Sequence, residues 1–200
     1  MDSLSVLLII IAVLLLALII WFAVTLRAFA RLNRTLDESW KQVEVELSRR
    51  HDLIDDVLVA LTAAGLDAPT QVDSTRQARD RAATMKAGPA GKAELENAVS
   101  AALEHLFDAA DAQGEPGADR TVRRLAGELT NIEDRIAAGR RYYNANVRAN
   151  NGRCTSFPGT ALAAVGLCAP AELFASADPA VRAAPSATFA QDRDHGEAAP

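Results

Sequence analysis

The chain has 200 residues, of which half are hydrophobic and 24% are charged, and its formal net charge is -5. This acidic balance excludes the basic surface that duplex nucleic acids require, so we expect no nucleic-acid partner. Aromatic residues make up only 5% of the sequence, which favours a helical core of alanine, leucine and valine over a sheet.

The first element is an uncharged apolar run over residues 4–26, which lies between Asp2 and Arg27. About 20 apolar residues in a helix cross the hydrocarbon layer of a bilayer. The run therefore predicts one transmembrane helix over 4–26, in contact with the lipid bilayer. A cleaved secretory signal fits less well, because no basic stretch precedes the run and no small-residue cleavage site closes it.

Basic residues follow this run closely but do not precede it. They are Arg27, Arg31, Arg34 and Lys41. Because Lys and Arg concentrate on the cytoplasmic side of a span, we expect a single-pass protein of the inner (plasma) membrane. Residues 1–3 would be the extracytoplasmic end, and residues 27–189 would form a cytoplasmic helical bundle.

The two cysteines, Cys154 and Cys168, would then lie where thiols are kept reduced, so we expect no disulfide between them. The three histidines are scattered over different segments. Metal binding by the cysteine pair would need further Cys or His ligands nearby, so the sequence predicts no metal site.

The segment after the apolar run contains no Pro or Gly until Gly65, which predicts that the membrane helix continues as one rod through about Ala64. An apolar stripe runs along it at heptad-like spacing. Its members are Trp40, Val43, Leu47, Ile54, Val57, Leu61 and Ala64. Arg50 interrupts the stripe. We expect the guanidinium groups of Arg49 and Arg50 to reach outward and to pair with Glu46 or with acids on a neighbouring helix.

Three further helical segments are predicted. Residues 65–70 form a turn, after which Asp73 or Ser74 caps a second helix, and Gly88–Gly91 marks a loop or kink. The third helix carries an apolar face made of Leu95, Val99, Leu103 and Leu106. The last helix runs from about Asp119 to about Asn150 and has the clearest stripe, made of Val122, Leu125, Leu129, Ile132, Ile136, Tyr143 and Val147.

Beyond Asn150 the chain alternates small apolar clusters with prolines, and it contains a predicted short helical piece over residues 171–177. We interpret this part as a strap that packs on the bundle, followed by a disordered tail over residues 190–200. The fold class is therefore all-α. One amino-terminal transmembrane helix continues into an antiparallel up-and-down bundle of three to four long helices, with a short strap and a tail at the carboxyl end.

From Arg140 the sequence reads RRYYNANVRANNGRCTSFP, which resembles the signature of the LemA family. SWKQVEVELSRRHDLIDDVL over 39–58 and ELTNIEDRIAAGRR over 128–141 resemble the family's first and last cytoplasmic helices. The likeness extends to Phe189. It implies one amino-terminal span followed by an antiparallel helical bundle, and it specifies no activity. The signature residues are Arg140, Arg141, Tyr142, Tyr143, Asn144, Val147, Arg148, Asn151, Phe157 and Pro158.

The chain departs from the family pattern in four places, one of which is a second helix that is shortened around residues 70–90. Asp55 stands where the family usually has a proline, which favours a straight first helix. Asn150 and Asn151 replace a Tyr-Asn pair. The aromatic, glycine-rich patch that follows Ser-Phe-Pro is replaced by AVGLCAPA over residues 164–171.

The signature can be explained by structural roles. Tyr143 faces inward, while Arg140 and Asn144 are positioned to tie the last helix to the strap. Asn151 suits a helix end, and Phe157 with Pro158 would pin the return segment. The alternative is a recognition surface for a protein or for anionic lipid headgroups, formed by Arg140, Arg141, Tyr142 and Asn144.

The sequence contains no nucleophile paired with a base and no glycine-rich phosphate cradle. We therefore expect a non-enzymatic protein with no cofactor and no small-molecule substrate. Its bundle would serve as an interaction or scaffold module with a protein partner, or would self-associate. The alternative is an accessory regulator of a membrane protease, kinase or transporter in envelope stress or signalling.

Overall fold

A computed structural model describes residues 3–164 and 166–175. Within them lie four long helices: α1 (Ser3–Ala63), α2 (Pro69–Thr84), α3 (Pro89–Gln113) and α5 (Arg120–Cys154). Two short helices, α4 (Glu115–Ala118) and α6 (Gly159–Ala164), complete the set. These described residues contain no strand, which confirms the predicted all-α class.

Helix α1 is unbroken from Ser3 to Ala63, as predicted from the absence of Pro and Gly. Each side chain from Val6 to Phe22 is exposed. This part of α1 is long and apolar enough to cross a membrane. An exposed apolar surface of this length is typical of a lipid-facing span.

The chain divides into two compact units. The first contains the residues up to Ser39 together with Ala145–Ala171, and the second contains Trp40–Asn144 together with the chain from Glu172. Each unit has its own cluster of buried side chains. The units are described separately below.

The second unit holds the larger core, to which four helices contribute. From α1 come Leu53, Ile54, Val57, Leu58 and Leu61; from α2, Ala82; from α3, Val99, Leu103, Leu106, Phe107 and Ala110; and from α5, Val122, Leu125, Ala126 and Leu129. Leu66 and Ala68 in the α1–α2 turn add to it. Much of the apolar stripes predicted for the first, third and last helices is therefore buried together in this core. Burial of such stripes is what makes an α-helical bundle stable.

Two predicted helix starts were wrong. Helix α2 begins at Pro69 rather than at a cap from Asp73 or Ser74, and α3 begins at Pro89, so Gly91 lies inside a helix. Proline is favoured in the first helical turn because its missing N–H would be unpaired there anyway. Both prolines therefore start helices. In the turn between α1 and α2, residue 65 has a φ of +88°, which favours glycine.

The carboxyl end also differs from the prediction. Helix α5 continues to Cys154, past the expected end near Asn150. The short helix is α6 at Gly159–Ala164, whereas residues 171–175 have no regular structure. Residues 176–177 of the predicted helical piece, the family-like end at Phe189 and the predicted tail lie outside the described residues.

Asp55 has a specific partner at the position where the LemA-like pattern has proline. Its carboxylate forms an ion pair with Arg79 of α2. Because the backbone N–H of residue 55 is kept, α1 continues unbroken through this point. The charge pair then ties α1 to α2 at the edge of the core.

Candidate interaction surface

The carboxyl-terminal strap of the second unit is held by a side-chain amide of α5. Asn144 Nδ2 donates to Phe174 O at 2.9 Å, and Phe174 N donates to Asn144 Oδ1 at 2.9 Å. One asparagine therefore satisfies both backbone groups of a strap residue, in the way that a neighbouring β-strand would. The predicted role of Asn144 in tying the last helix to the strap is confirmed.

Three aromatic rings pack beside this amide clamp. Tyr143 is buried, and its Oη donates to Glu172 O at 2.9 Å. The centroid of the Trp40 ring lies 5.2 Å from that of Tyr143 and 5.5 Å from that of Phe174. The contact with Phe174 is edge to face. Tyr143 thus faces inward as predicted, and Trp40 joins α1 to both α5 and the strap.

A second set of amides holds the earlier part of the strap, within the first unit. Asn151 Nδ2 donates to Ala171 O at 3.0 Å, and Ala171 N donates to Asn151 Oδ1 at 2.8 Å. Asn150 Nδ2 donates to Ala169 O at 3.0 Å. The prediction that Asn151 ends the helix was wrong, because its side chain is used by the strap while its backbone stays helical.

The remaining signature residues of α5 divide by exposure. Val147 is buried and Arg140 is half-buried, whereas Arg141, Tyr142 and Arg148 are exposed. The Tyr142 side chain is 55% exposed although it is large and aromatic. Buried and exposed members alternate with the helical period, so only the exposed ones are available to a partner.

Tyr142 lines a groove between α1 and α5 in the second unit. The groove encloses about 360 Å³. Its lining residues are Gln42, Val43, Glu46, Arg135, Ala138, Gly139 and Tyr142. A Cβ added at Gly139 would lie 3.2 Å from Val43 Cγ2, so the absence of a side chain there lets the two helices approach and forms the floor. Glu46 and Arg135 add charges of both signs at the walls.

Arg50 does not reach outward as predicted; it lies in the core of the second unit. Its side chain is 2% exposed, with Nη1 2.8 Å from Glu96 Oε2 and Nε 2.6 Å from Glu133 Oε1. Nη2 donates to Ser100 Oγ at 2.8 Å. Pairing with acids on neighbouring helices is therefore correct, and the acids come from α3 and α5.

His51 completes this buried cluster, since its Nε2 lies 2.9 Å from Glu96 Oε1. Burial alone raises the pKa of Glu96, but the hydrogen bond with His51 and the charge of Arg50 outweigh it, so the pKa lies below its usual value. Burial raises the pKa of the Glu133 carboxyl, and the attraction of Arg50 offsets only part of that rise. The two carboxyls thus shift in opposite directions around one guanidinium.

Phe157 and Pro158 lie in the turn that follows α5. Pro158 is half-buried, but Phe157 is 78% exposed. Its ring is stacked on the Trp21 ring, with the two ring centroids 6.0 Å apart. Phe157 is therefore attached to the apolar part of α1 instead of being buried under the strap. Nearby, Phe29, Cys154, Leu162 and Cys168 form the buried cluster of the first unit.

The expectation of free thiols was wrong, because Cys154 and Cys168 form a disulfide. Their Cα atoms lie 5.7 Å apart, within the range that a disulfide spans without backbone movement. The expectation came from the inferred compartment and took no account of geometry. The turn after α5 brings the two residues together.

The family model of the LemA family matches residues 39–189. The chain belongs to the LemA family. No curated protein matches the chain. The matched range begins with the residue before Trp40 and includes the whole of α2, α3 and α5. The amide clamps and the ring contacts of Trp40 therefore lie inside the LemA region.

Among the described residues, no group of three or more His, Cys, Asp or Glu side chains is positioned to hold a metal ion.

Three residues with clear structural roles were not predicted from the sequence: Glu96, Glu133 and Asn150. Glu96 and Glu133 fall on the apolar stripes of α3 and α5, at helical spacing from Val99 and Leu129. That pattern, set beside an arginine on the stripe of α1, was a usable signal for a buried ion cluster.

The opposite pKa shifts give opposite pH dependences, and we predict that replacing Glu133 with glutamine exposes one of them. The pKa of Glu133 in the folded protein is raised above its unfolded value, 4.5. The carboxyl therefore contributes to the stability of the folded protein below pH 4.5, and this contribution is lost as the pH rises through the folded pKa. Relative to the unmodified protein, the Glu133→Gln variant should therefore become more stable as the pH rises from 4.5 towards neutrality. Denaturant unfolding of the full-length chain in detergent at a series of pH values measures this.

Glu96 supplies the matched control. Its lowered folded pKa gives stability that is present above 4.5 and is lost as the pH falls through the folded pKa. The Glu96→Gln variant should thus become less stable relative to the unmodified protein as the pH rises to 4.5. This change has the opposite sign to that of Glu133→Gln. Equal slopes for the two variants would contradict the assignment.

Proposed function

We propose that this LemA-family chain is a non-enzymatic, membrane-anchored interaction module. The apolar part of α1 crosses the membrane once, and the helical bundle presents the surface around Arg141 and Tyr142 to a protein partner. The observation that carries the proposal is the exposure of the Tyr142 ring at the edge of the α1–α5 groove. Exposed tyrosine and arginine beside a concave floor are typical of protein recognition sites.

The division of the signature supports this assignment. Tyr143, Asn144 and Asn151 are each used by the strap, so structural needs explain them. Arg141 and Tyr142 are exposed on the same helix, and the contacts of the strap do not use them. A free binding surface is therefore the function that best accounts for these two side chains.

Site-specific photo-crosslinking in cells tests the proposal. A photoreactive residue at Ala138, which is exposed and lines the groove, should yield a discrete adduct with one protein. The adduct should disappear when Tyr142→Ala is added and should persist when the control Val59→Ala is added, since Val59 is exposed elsewhere on α1. The identity of the adduct then separates a general scaffold from an accessory of a membrane protease, kinase or transporter.

Two outcomes would contradict the proposal. One is an adduct at Ala138 that Tyr142→Ala leaves unchanged. The other is an adduct that contains only a second copy of this chain, which would indicate a self-associating structural module in place of a partner-binding one.

We also propose that the amino terminus lies outside and the bundle lies in the cytoplasm of an inner-membrane protein, because Arg27, Arg31 and Arg34 follow the apolar segment directly. A reporter enzyme fused after Pro200 tests this orientation, since some reporters are active only in the cytoplasm and others only outside it. The cytoplasmic reporter should be active. Activity of the extracytoplasmic reporter alone would contradict the proposed orientation.

A further inference from the structure

The first unit carries a second apolar feature beside the span. From Cys154 to Ala171 the sequence contains no charged residue. This uncharged return segment includes the turn after α5, helix α6 and the start of the strap. A stretch of this kind in water would normally be buried, yet Phe157 is 78% exposed and Leu167 is 49% exposed.

The position of Phe157 is fixed by its neighbour on α1. Its ring is stacked on Trp21 with a centroid separation of 6.0 Å and an interplanar angle of 20°. The depths of the two rings along a membrane normal can therefore differ by no more than 6.0 Å. Trp21 lies inside the apolar run and shortly before Arg27, which is where tryptophan sits in the interfacial belt of a span.

On the carboxyl-terminal side of Trp21, the return segment packs on α1. Leu26 and Ala163 are partly buried against a cluster that contains Phe29 and Leu162. Arg153 precedes the uncharged segment, Glu172 follows it and Arg27 lies on α1, and all three are exposed. At the end where Phe157 lies, apolar side chains next to Arg153 match the two layers of an anionic bilayer surface, acyl chains and headgroups.

We propose that the return segment is a second membrane contact, in which Phe157 inserts into the interfacial layer of the bilayer at the level of Trp21. The partner is the lipid surface itself. The exposed ring is explained, because in the membrane it is covered by lipid. This inference rests on the proposed span, and it adds that the chain touches the bilayer at two places in its sequence.

Single-tryptophan variants of the full-length chain, reconstituted in vesicles of phosphatidylcholine and phosphatidylglycerol, test the proposal. Trp40→Phe leaves Trp21 as the reporter of the span. Trp21→Phe/Trp40→Phe/Phe157→Trp reports the return segment, and the same background with Val59→Trp is the aqueous control. Lipids brominated near the headgroup quench fluorescence only in the membrane, and iodide quenches it only in water.

We expect the Phe157→Trp reporter to be quenched by shallow brominated lipids to the same extent as Trp21, and to be several-fold less accessible to iodide than the Val59→Trp reporter. Iodide quenching equal to that of the control would overturn the proposal while the Trp21 signal still established the span. Protection from both quenchers would also overturn it, since that result means cover by protein. Loss of lipid quenching at Trp21 itself would refute the span and this inference together.

A more conservative probe covers the case in which the triple variants do not fold. p-Cyanophenylalanine at Phe157 keeps both tryptophans and nearly the same ring, and its nitrile stretching frequency distinguishes water from an apolar environment. The expected frequency in vesicles is the apolar one. A frequency equal to that of the same probe at Val59 would overturn the proposal.

Discussion

Replacing Glu96 with glutamine is expected to lower the free energy of unfolding by about 3–5 kcal/mol, the usual cost of removing one partner from a buried ion cluster. Glu96 accepts from Arg50 and lies within hydrogen-bonding distance of His51. An amide has the same shape but no charge. Arg50 would then be left in the core with Glu133 as its only ionic partner among the described residues.

Denaturant unfolding of the full-length chain in detergent measures this effect, and Glu104→Gln is the matched control. Glu104 lies on the same helix and is exposed, so its replacement should change stability by less than about 0.5 kcal/mol. A loss below about 1 kcal/mol for Glu96→Gln would show that the cluster is hydrated or rearranged.

Replacing Trp40 with alanine is expected to lower the free energy of unfolding by about 3 kcal/mol, at the lower end of the range for large aromatic side chains because Trp40 is half-buried. Its ring contacts both Tyr143 of α5 and Phe174 of the strap. Removing it takes away the aromatic contact beside the hydrogen bonds between Asn144 and Phe174. The amide of Phe174, which donates to Asn144, should therefore exchange its hydrogen much faster.

Hydrogen exchange of the full-length chain, with Trp40→Phe as the conservative control, measures the second effect. Phenylalanine keeps an aromatic ring between Tyr143 and Phe174 and should keep most of the protection. Unchanged exchange in Trp40→Ala would mean that Asn144 alone holds the strap. Faster exchange in both variants would mean that the indole itself is required.

Much of the fold could be predicted from the sequence because it follows from local periodicity. The unbroken α1 follows from the absence of helix breakers, and the stripes on α3 and α5 predict which faces are buried. The helix starts at Pro69 and Pro89 were not predicted, because each proline was taken to end a helix. Proline is equally suited to the first turn of a helix.

The details of the candidate surface could be predicted only in part. Tyr143 and Asn144 were placed correctly because helical spacing decides which way each side chain points. The clamps on Ala169 and Ala171, and the disulfide between Cys154 and Cys168, depend on how an irregular segment returns along α5. No periodicity encodes such a path, so the sequence could not supply it.

We propose that the LemA signature combines a structural half, which holds the strap, with an exposed half that serves as the binding surface for a partner. Measuring unfolding and Ala138 photo-crosslinking together for Asn144→Ala and Tyr142→Ala tests it most directly. Asn144→Ala should lower the free energy of unfolding by about 1–3 kcal/mol, because it leaves the backbone groups of Phe174 unpaired. Tyr142→Ala should leave stability unchanged and abolish the adduct. Equal destabilisation by both variants, with the adduct kept in Tyr142→Ala, would contradict the account.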